Sequence, residues 1–351
     1  MEAYENFLEH ATRVASLSKD NNVSISVFTV LNQQLHEMEK IKLSANVIPQ
    51  GRYVARAPRG KSVAKPKVEV STTPSMQAEG EYFVRPNGSK YFARQWGVHQ
   101  DIATLREARK ATTRSFTEGG ISPMFALLYG SPGTGKTALV EGAFNDVYTI
   151  LGSGDTEVAD FVGGYTQKPS GGFEWVDGAL VKAVENGGVL FVDEIGLIDP
   201  KVLSIVYGVM DGRREFEITA NPSRGTIKVH PDFYVVAATN PNAIGVRLSE
   251  ALLSRFTIQA EMTTDWALAK QLGVPSYLIT VATNLSKKVD SGEMMWSPQM
   301  RELLAFRDIE GTFGQEFAIQ NLLASAPEME RAKVADVLSR AIGMECKPAR
   351  I

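Results

Sequence analysis

Gly130-Ser131-Pro132-Gly133-Thr134-Gly135-Lys136-Thr137 is the stretch that decides how this chain is read. Its glycines let backbone N–H groups wrap closely around phosphate oxygens, an approach that side chains would block. Lys136 supplies a point charge for the β- and γ-phosphates, and the Thr137 hydroxyl suits Mg²⁺. The run from Ala138 to Phe144 reads as a helix whose N-terminus faces the anion. The preceding Met124-Phe125-Ala126-Leu127-Leu128-Tyr129 reads as a short buried strand. Strand, glycine loop and helix thus follow in the order that phosphate binding requires.

A second element lies downstream, at Gly187-Gly188-Val189-Leu190-Phe191-Val192-Asp193-Glu194. An apolar run of this kind is a buried parallel strand, and acids at its carboxyl end fall where open α/β sheets bind ligands. Asp193 is positioned to hold the Mg²⁺ shell and Glu194 to polarise an attacking water. Val235-Val236-Ala237-Ala238-Thr239-Asn240 supplies a third element, with Asn240 ending a strand beside both. In Leu252-Leu253-Ser254-Arg255-Phe256, Arg255 precedes the last core strand. That position is far from the chain's own nucleotide and suits a neighbouring subunit's γ-phosphate; Arg247 competes for the same role. The catalytic set is therefore Lys136, Glu194, Asn240 and Arg255, with Thr137 and Asp193 as metal ligands.

The strands expected in this core are Phe125–Tyr129, Val147–Leu151, Val189–Val192, Tyr234–Ala238 and Thr257–Glu261. Helices separate most of them, which predicts a parallel five-stranded sheet covered on both faces. The clearest helix starts at Asp199-Pro200, with Asp199 as cap and Gly212 just past its end.

Composition fits an enzyme of several domains. The chain has 351 residues, 44% hydrophobic and 22% charged, with a net charge of −3, so nothing in its balance demands nucleic acid. Cys346 is the single cysteine, and His10, His36, His99 and His230 are scattered, so no metal cluster is assigned to them. No apolar run is long enough to span a bilayer, and the acidic N-terminus lacks a signal peptide's positive start; a cytoplasmic chain is expected.

Five regions are expected. Residues 1–43 are helical, with an amphipathic stripe at Val27, Leu31, Leu35, Met38 and Ile41. Residues 44–80 are a linker punctuated by proline and glycine. It carries Arg52, Arg56, Arg59, Lys61, Lys65 and Lys67 with no acid before Glu69. It is either a solvated linker or a basic arm for nucleic acid. Residues 81–116 form a β-hairpin turning at Asn87-Gly88, docked on the next domain, and then a helix. Residues 117–265 are the nucleotide-binding domain, and 266–351 a helical lid.

The order of phosphate loop, Asp193-Glu194, Asn240 and Arg255 resembles that of the AAA+ ATPases. More narrowly, the chain resembles the MoxR group with its relatives CbbQ, NorQ and CobS. The matching text is Asp160-Phe161-Val162-Gly163, Gly172 to Leu180, Gly188 to Ile195, Asn240-Pro241 and Leu253 to Phe256. The resemblance covers roughly residues 115–345 and none of the first 80. It implies a ring, usually hexameric, with ATP and Mg²⁺ between subunits. It implies a pore-facing hairpin over Gly164–Trp175, a second hairpin over Thr219–Val229, and a lid whose nucleotide-sensing arginine begins a helix. Arg301 fits the last role, although the family's spacing after Ser297-Pro298 is shorter. The nucleotide-contacting set is then Gly130, Ser131, Pro132, Gly133, Thr134, Gly135, Lys136, Thr137, Ala138, Asp193 and Arg301. The implied activity is ATP hydrolysis coupled to remodelling a protein client, in some relatives a von Willebrand A-type protein. The alternative is a nucleic-acid motor gripping DNA through the 52–67 arm and the pore hairpins.

Overall fold

The computed structural model describes residues 82–348. The expectations for 1–43 and for the 44–80 linker, its basic arm included, lie outside the described residues. Everything described belongs to one compact unit, Thr72–Ile351.

The chain enters through β1 (Tyr82–Val84), β2 (Lys90–Phe92), β3 (Gln95–Trp96) and β4 (His99–Gln100), then α1 (Asp101–Thr117). The core follows as β5 (Ala126–Tyr129), α2 (Lys136–Ala143), β6 (Val147–Leu151), α3 (Val158–Val162), β7 (Gly163–Gln167), β8 (Phe173–Asp177) and α4 (Ala179–Asn186). It continues as β9 (Val189–Asp193), α5 (Pro200–Met210), β10 (Glu215–Glu217), β11 (Thr226–Lys228), β12 (Tyr234–Thr239), α6 (Glu250–Leu253) and β13 (Ile258–Glu261). Five helices close the chain: α7 (Trp266–Gln271), α8 (Ser276–Asp290), α9 (Met300–Phe313), α10 (Gln315–Ser325) and α11 (Arg331–Ile342).

The main sheet has five strands in the order β13-β5-β12-β9-β6, every pair parallel. The expected strands form it, with ends shifted by a residue. β9 and β12 are the most apolar stretches, and Val189–Val192 and Tyr234–Ala238 are fully buried, as a strand covered on both faces must be. The fold is the expected parallel five-stranded α/β core followed by a helical unit. Two separate apolar clusters hold it. One gathers the sheet, α1, α2, α4 and α5; the other joins α7 to α11 through Leu278, Leu303, Phe306, Leu323 and Leu338. α5 starts as expected: Asp199 accepts from the Lys201 N–H at 2.8 Å, Pro200 occupies the first turn, and Asp211 caps the end before Gly212. Among the described residues no helix is long and apolar enough to cross a membrane.

Two expectations are corrected. The β1–β2 turn is not a tight Asn-Gly pair. Val84 pairs with Lys90, Arg85 N–H donates to Ser89 O at 2.8 Å, and Gly88 alone takes positive φ, at 79°. The turn is thus a three-residue loop with a left-handed glycine, the next commonest way to close a hairpin. Pro86 fixes one φ and Asn87 instead accepts from Ser89 N–H, which removes the need for Asn87 at positive φ. The second hairpin starts earlier than Thr219. Its strands are Glu215–Glu217 and Thr226–Lys228, in register Phe216↔Ile227. Residues 218–225 are the connection, which includes a short 3₁₀ turn at Pro222–Arg224. The first hairpin, β7–β8, runs from Gly163 to Asp177 and includes the expected Gly164–Trp175.

Candidate functional site

The site is set by register. Tyr129 pairs with Thr239, and Leu151 with Asp193, so the carboxyl ends of β5, β12, β9 and β6 lie level along one edge of the sheet. The phosphate loop, Asn240 and Asp193-Glu194 leave the sheet there together. Parallel sheets bind ligands at this edge, where successive connections depart on opposite sides.

The loop is shaped by its glycines. Gly130, Gly133 and Gly135 take φ of 146°, 82° and 97°. A Cβ on Gly130 would lie 2.3 Å from Met262 O, a backbone atom that has no freedom to move aside. α2 begins at Lys136 with Gly135 as an uncapped N-terminal residue, so its first N–H groups are left for an anion. Lys136 is buried, and its Nζ donates to Gly130 O at 2.8 Å and Ser131 O at 3.0 Å. Burial lowers its pKa, while Glu194 and Asp193 act to restore the charged form.

The acids are held just as closely. Thr137 Oγ1 donates to Asp193 Oδ2 at 2.8 Å. Asp193 Oδ1 accepts from the Glu194 N–H at 3.1 Å. Glu194 has φ 51° and ψ 41°, the single non-glycine residue at positive φ among the described residues. That conformation costs about 1–2 kcal/mol. Asn240 N–H donates to Glu194 Oε2 at 3.3 Å, and Leu197 N–H donates to Glu194 O at 3.0 Å, which hold the turn in place. Strain of this kind collects at functional sites.

A cleft of about 370 Å³ joins these parts. Pro132, Gly133, Thr134, Gly135, Lys136, Thr137, Ala138, Asp193, Glu194 and Arg301 line it. Arg301 stands in the first turn of α9, and its backbone N–H donates to Gly133 O at 3.2 Å. The lid therefore touches the phosphate loop directly. Gly130 and Ser131 meet the cleft through the Lys136 bonds, and Asn240 through Glu194. Arg255 is not brought to it. Its Nε and Nη2 donate to the two oxygens of Asp211 at 2.8 and 2.7 Å, over the Tyr207 ring at 4.4 Å. Arg247 is exposed, with its backbone N–H on Gly196 O at 2.7 Å.

Sequence reasoning missed the opposite wall. Arg85, Lys90, Tyr91, Phe92 and Arg94 face the cleft from the β1–β2 hairpin and the residues after it. Tyr91 packs on Gly142 of α2, and Arg85 Nε donates to Glu141 Oε2 at 2.8 Å. The strands flanking Asn87-Gly88 predicted a docked hairpin, but no spacing in 82–94 points to a ligand. Gly152 was also missed. A Cβ there would lie 2.5 Å from Glu194 O, so the β6 end admits only glycine against the acidic turn.

Residues 126–256 match the AAA domain, dynein-related subfamily. An uncharacterized protein of Staphylococcus aureus (strain USA300) is 35% identical over 142 residues, which are 38% of this chain and 53% of that protein. An uncharacterized protein of Staphylococcus haemolyticus is 37% identical over the same length and shares. The chain thus spans about half the length of the curated relatives it matches. A provisionally assigned ATPase from Cytophaga hutchinsonii superposes with a TM-score of 0.35 at 15% identity, over 70% of this chain and 88% of that one.

Gly130→Ala tests the loop geometry. The clash with Met262 O has no flexible side chain to absorb it, so the change costs about 1–3 kcal/mol or more. Gly88→Ala meets nothing within 4 Å and suffers only its positive φ. Thermal unfolding of both variants checks this, with Gly130→Ala the more destabilised.

Proposed function

We propose that the cleft binds ATP with Mg²⁺ and hydrolyses it, and that a ring of subunits couples this to remodelling a protein client, as in the MoxR group. The observation that carries the reading is the Thr137–Asp193 contact at 2.8 Å, directly below the glycine loop and beside a strained Glu194. A hydroxyl and a carboxylate at that separation are hard oxygen donors, which suit Mg²⁺. When bound, the ion neutralises charge on the transferred phosphoryl oxygens.

The chain's own groups have distinct tasks. The loop N–H groups and the α2 N-terminus bind phosphate oxygens. Lys136 exchanges its two carbonyl acceptors for phosphate; burial disfavours its ammonium, and the two acids offset part of that. Glu194 orients water and accepts its proton at a carboxylate oxygen. The Asn240 backbone already fixes one of those oxygens; its side-chain Oδ1 accepts from the Asn242 N–H at 3.2 Å, which leaves the amide nitrogen as the group to position the water. Arg301 reaches the nucleotide from the lid. The nucleoside end lies between the β1–β2 hairpin and the apolar lid residues Leu268, Leu272, Met300 and Leu304.

Arg255 serves a neighbouring subunit. Bound to Asp211 at the end of α5, it stands apart from its own cleft, as a residue acting in trans must. The β7–β8 hairpin supports the client role. Tyr165 and Phe173 are 58% and 72% exposed, and Tyr165 packs edge-on against Trp175 with ring centres 5.2 Å apart. The hairpin base is braced, because Arg224 bridges Asp177 at 2.9 Å to Glu185 of α4 and holds the Asp177 carboxyl below the usual range. A braced base with exposed aromatic residues on both strands suits gripping an unfolded segment.

The test is a set of variants measured together. Glu194→Gln retains ATP binding and loses turnover by at least about 10²-fold, whereas Lys136→Ala weakens binding itself. Turnover per subunit rises with protein concentration. Mixing Arg255→Ala with Lys136→Ala restores part of the activity, because one mixed interface holds both intact halves. Near-normal turnover by Glu194→Gln rejects its assigned role. Full activity in a monomer, with no complementation, rejects the ring. Stimulation by DNA in place of a protein client selects the nucleic-acid motor.

A further inference from the structure

Arg94 stands outside the expected site yet joins several parts of the fold. It lies two residues beyond β2 and is largely buried, with 12% of its side chain exposed. Its Nε donates to the Tyr91 hydroxyl at 3.0 Å. Its Nη1 donates twice, to Thr134 O of the phosphate loop at 3.2 Å and to Thr263 O at 3.2 Å. Thr263 stands between the last core strand and the first lid helix, α7. Nη2 lies 3.7 Å from Met262 Sδ and borders Gly135.

We propose that Arg94 is a positioning residue that ties the phosphate loop to the core–lid junction, so that nucleotide occupancy and the setting of the lid are coupled through one guanidinium. The inference rests on the reading that the cleft binds ATP. Its force comes from the peptide between Thr134 and Gly135. That unit is trans, so its C=O and N–H point in opposite directions. Holding Thr134 O outward on Arg94 turns the Gly135 N–H toward the loop's interior, where a phosphate oxygen needs a donor. The same nitrogen holds Thr263 O. A phosphate that pulls on the loop therefore pulls on the carbonyl three residues before α7.

The support behind Arg94 fits this task. Asp101 is buried at the N-terminus of α1 and accepts from the backbone N–H groups of Arg94, at 3.0 Å, and Ile102, at 2.7 Å. It also accepts a hydrogen bond from the Tyr91 hydroxyl. Burial raises the Tyr91 pKa, so the hydroxyl keeps its proton and the arrangement has one polarity. Asp101 also balances the guanidinium charge, with 3.6 Å from Nε to its Oδ2. A flat fork serves acceptors on separate elements at once, whereas an ammonium on a flexible stem does not hold that geometry. A residue needed only to neutralise Asp101 would not require two carbonyls from two separate segments.

The test uses Arg94→Lys, which keeps the charge beside Asp101, and Tyr91→Phe, which removes one orienting bond. Removing the charge altogether would strand a buried carboxylate. Amide hydrogen exchange of the full chain is followed with and without the β,γ-imido analogue of ATP, alongside its binding affinity. The wild type gains protection at 131–137 and at 262–268 together. Folded Arg94→Lys binds the analogue about tenfold more weakly and loses the gain at 262–268. Tyr91→Phe shifts both in the same direction by less, and stands as the test where Arg94→Lys does not fold. A folded variant with wild-type affinity and both gains intact overturns the inference while leaving the ATP reading in place. A wild type that does not bind the analogue overturns both.

Discussion

Parallel pairing of β5, β12, β9 and β6 with their ends level is the constraint on which everything else depends. Tyr129 opposite Thr239 and Leu151 opposite Asp193 leave three chain segments departing from one line. A slip by one residue in β9 would move Asp193 away from Thr137 and turn its side chain to the other face of the sheet. The register is protected by burial, since β9 and β12 are apolar on both faces and have no exposed alternative. It is protected again by glycine. Gly130 lies under Met262 O and Gly152 under Glu194 O, contacts that tolerate no Cβ. The strained turn at Glu194 persists because its neighbours hold it from several sides.

Much of this was legible in the chain. Buried parallel strands are continuous apolar runs, so Val189–Val192 and Val235–Ala238 mark themselves, and the loop at 130–137 has a spacing that few other structures need. The cap at Asp199 and Pro200 was equally plain, because it is chemistry local to one turn. What stayed hidden was set by tertiary packing. The hairpin near Asn87-Gly88 showed its strands but not its turn, since Pro86 and the side chain of Asn87 offered a longer loop of comparable ease. The second hairpin was placed late because Glu215 and Glu217 flank Phe216, a charged pattern that hides a short edge strand. Nothing local in Tyr91, Arg94 and Asp101 says that they meet at the cleft wall, because their meaning lies in carbonyls 40 and 169 residues away.

Arg255 shows how a chain and an assembly differ. In the single chain its guanidinium is satisfied by Asp211 and Tyr207, at the tip of α5. A charge of this kind, partly buried and paired, is stable where it stands, and the proposed role in trans asks it to exchange one anionic partner for another. The lid poses the same question of coupling from within. Arg301 meets the phosphate loop through Gly133 O, and Arg94 meets it through Thr134 O, so two neighbouring carbonyls of one loop are held by two different parts of the protein.

The central claim is that the loop, Thr137 and Asp193 form one Mg²⁺-nucleotide site. Calorimetric titration of ATP into the full chain, with Mg²⁺ and then with a chelator, measures it most directly, with Asp193→Asn in parallel. The account predicts saturable binding that Mg²⁺ strengthens in the wild type and leaves nearly unchanged in Asp193→Asn. No saturable binding, or an Mg²⁺ effect equally large without the Asp193 carboxylate, would contradict it.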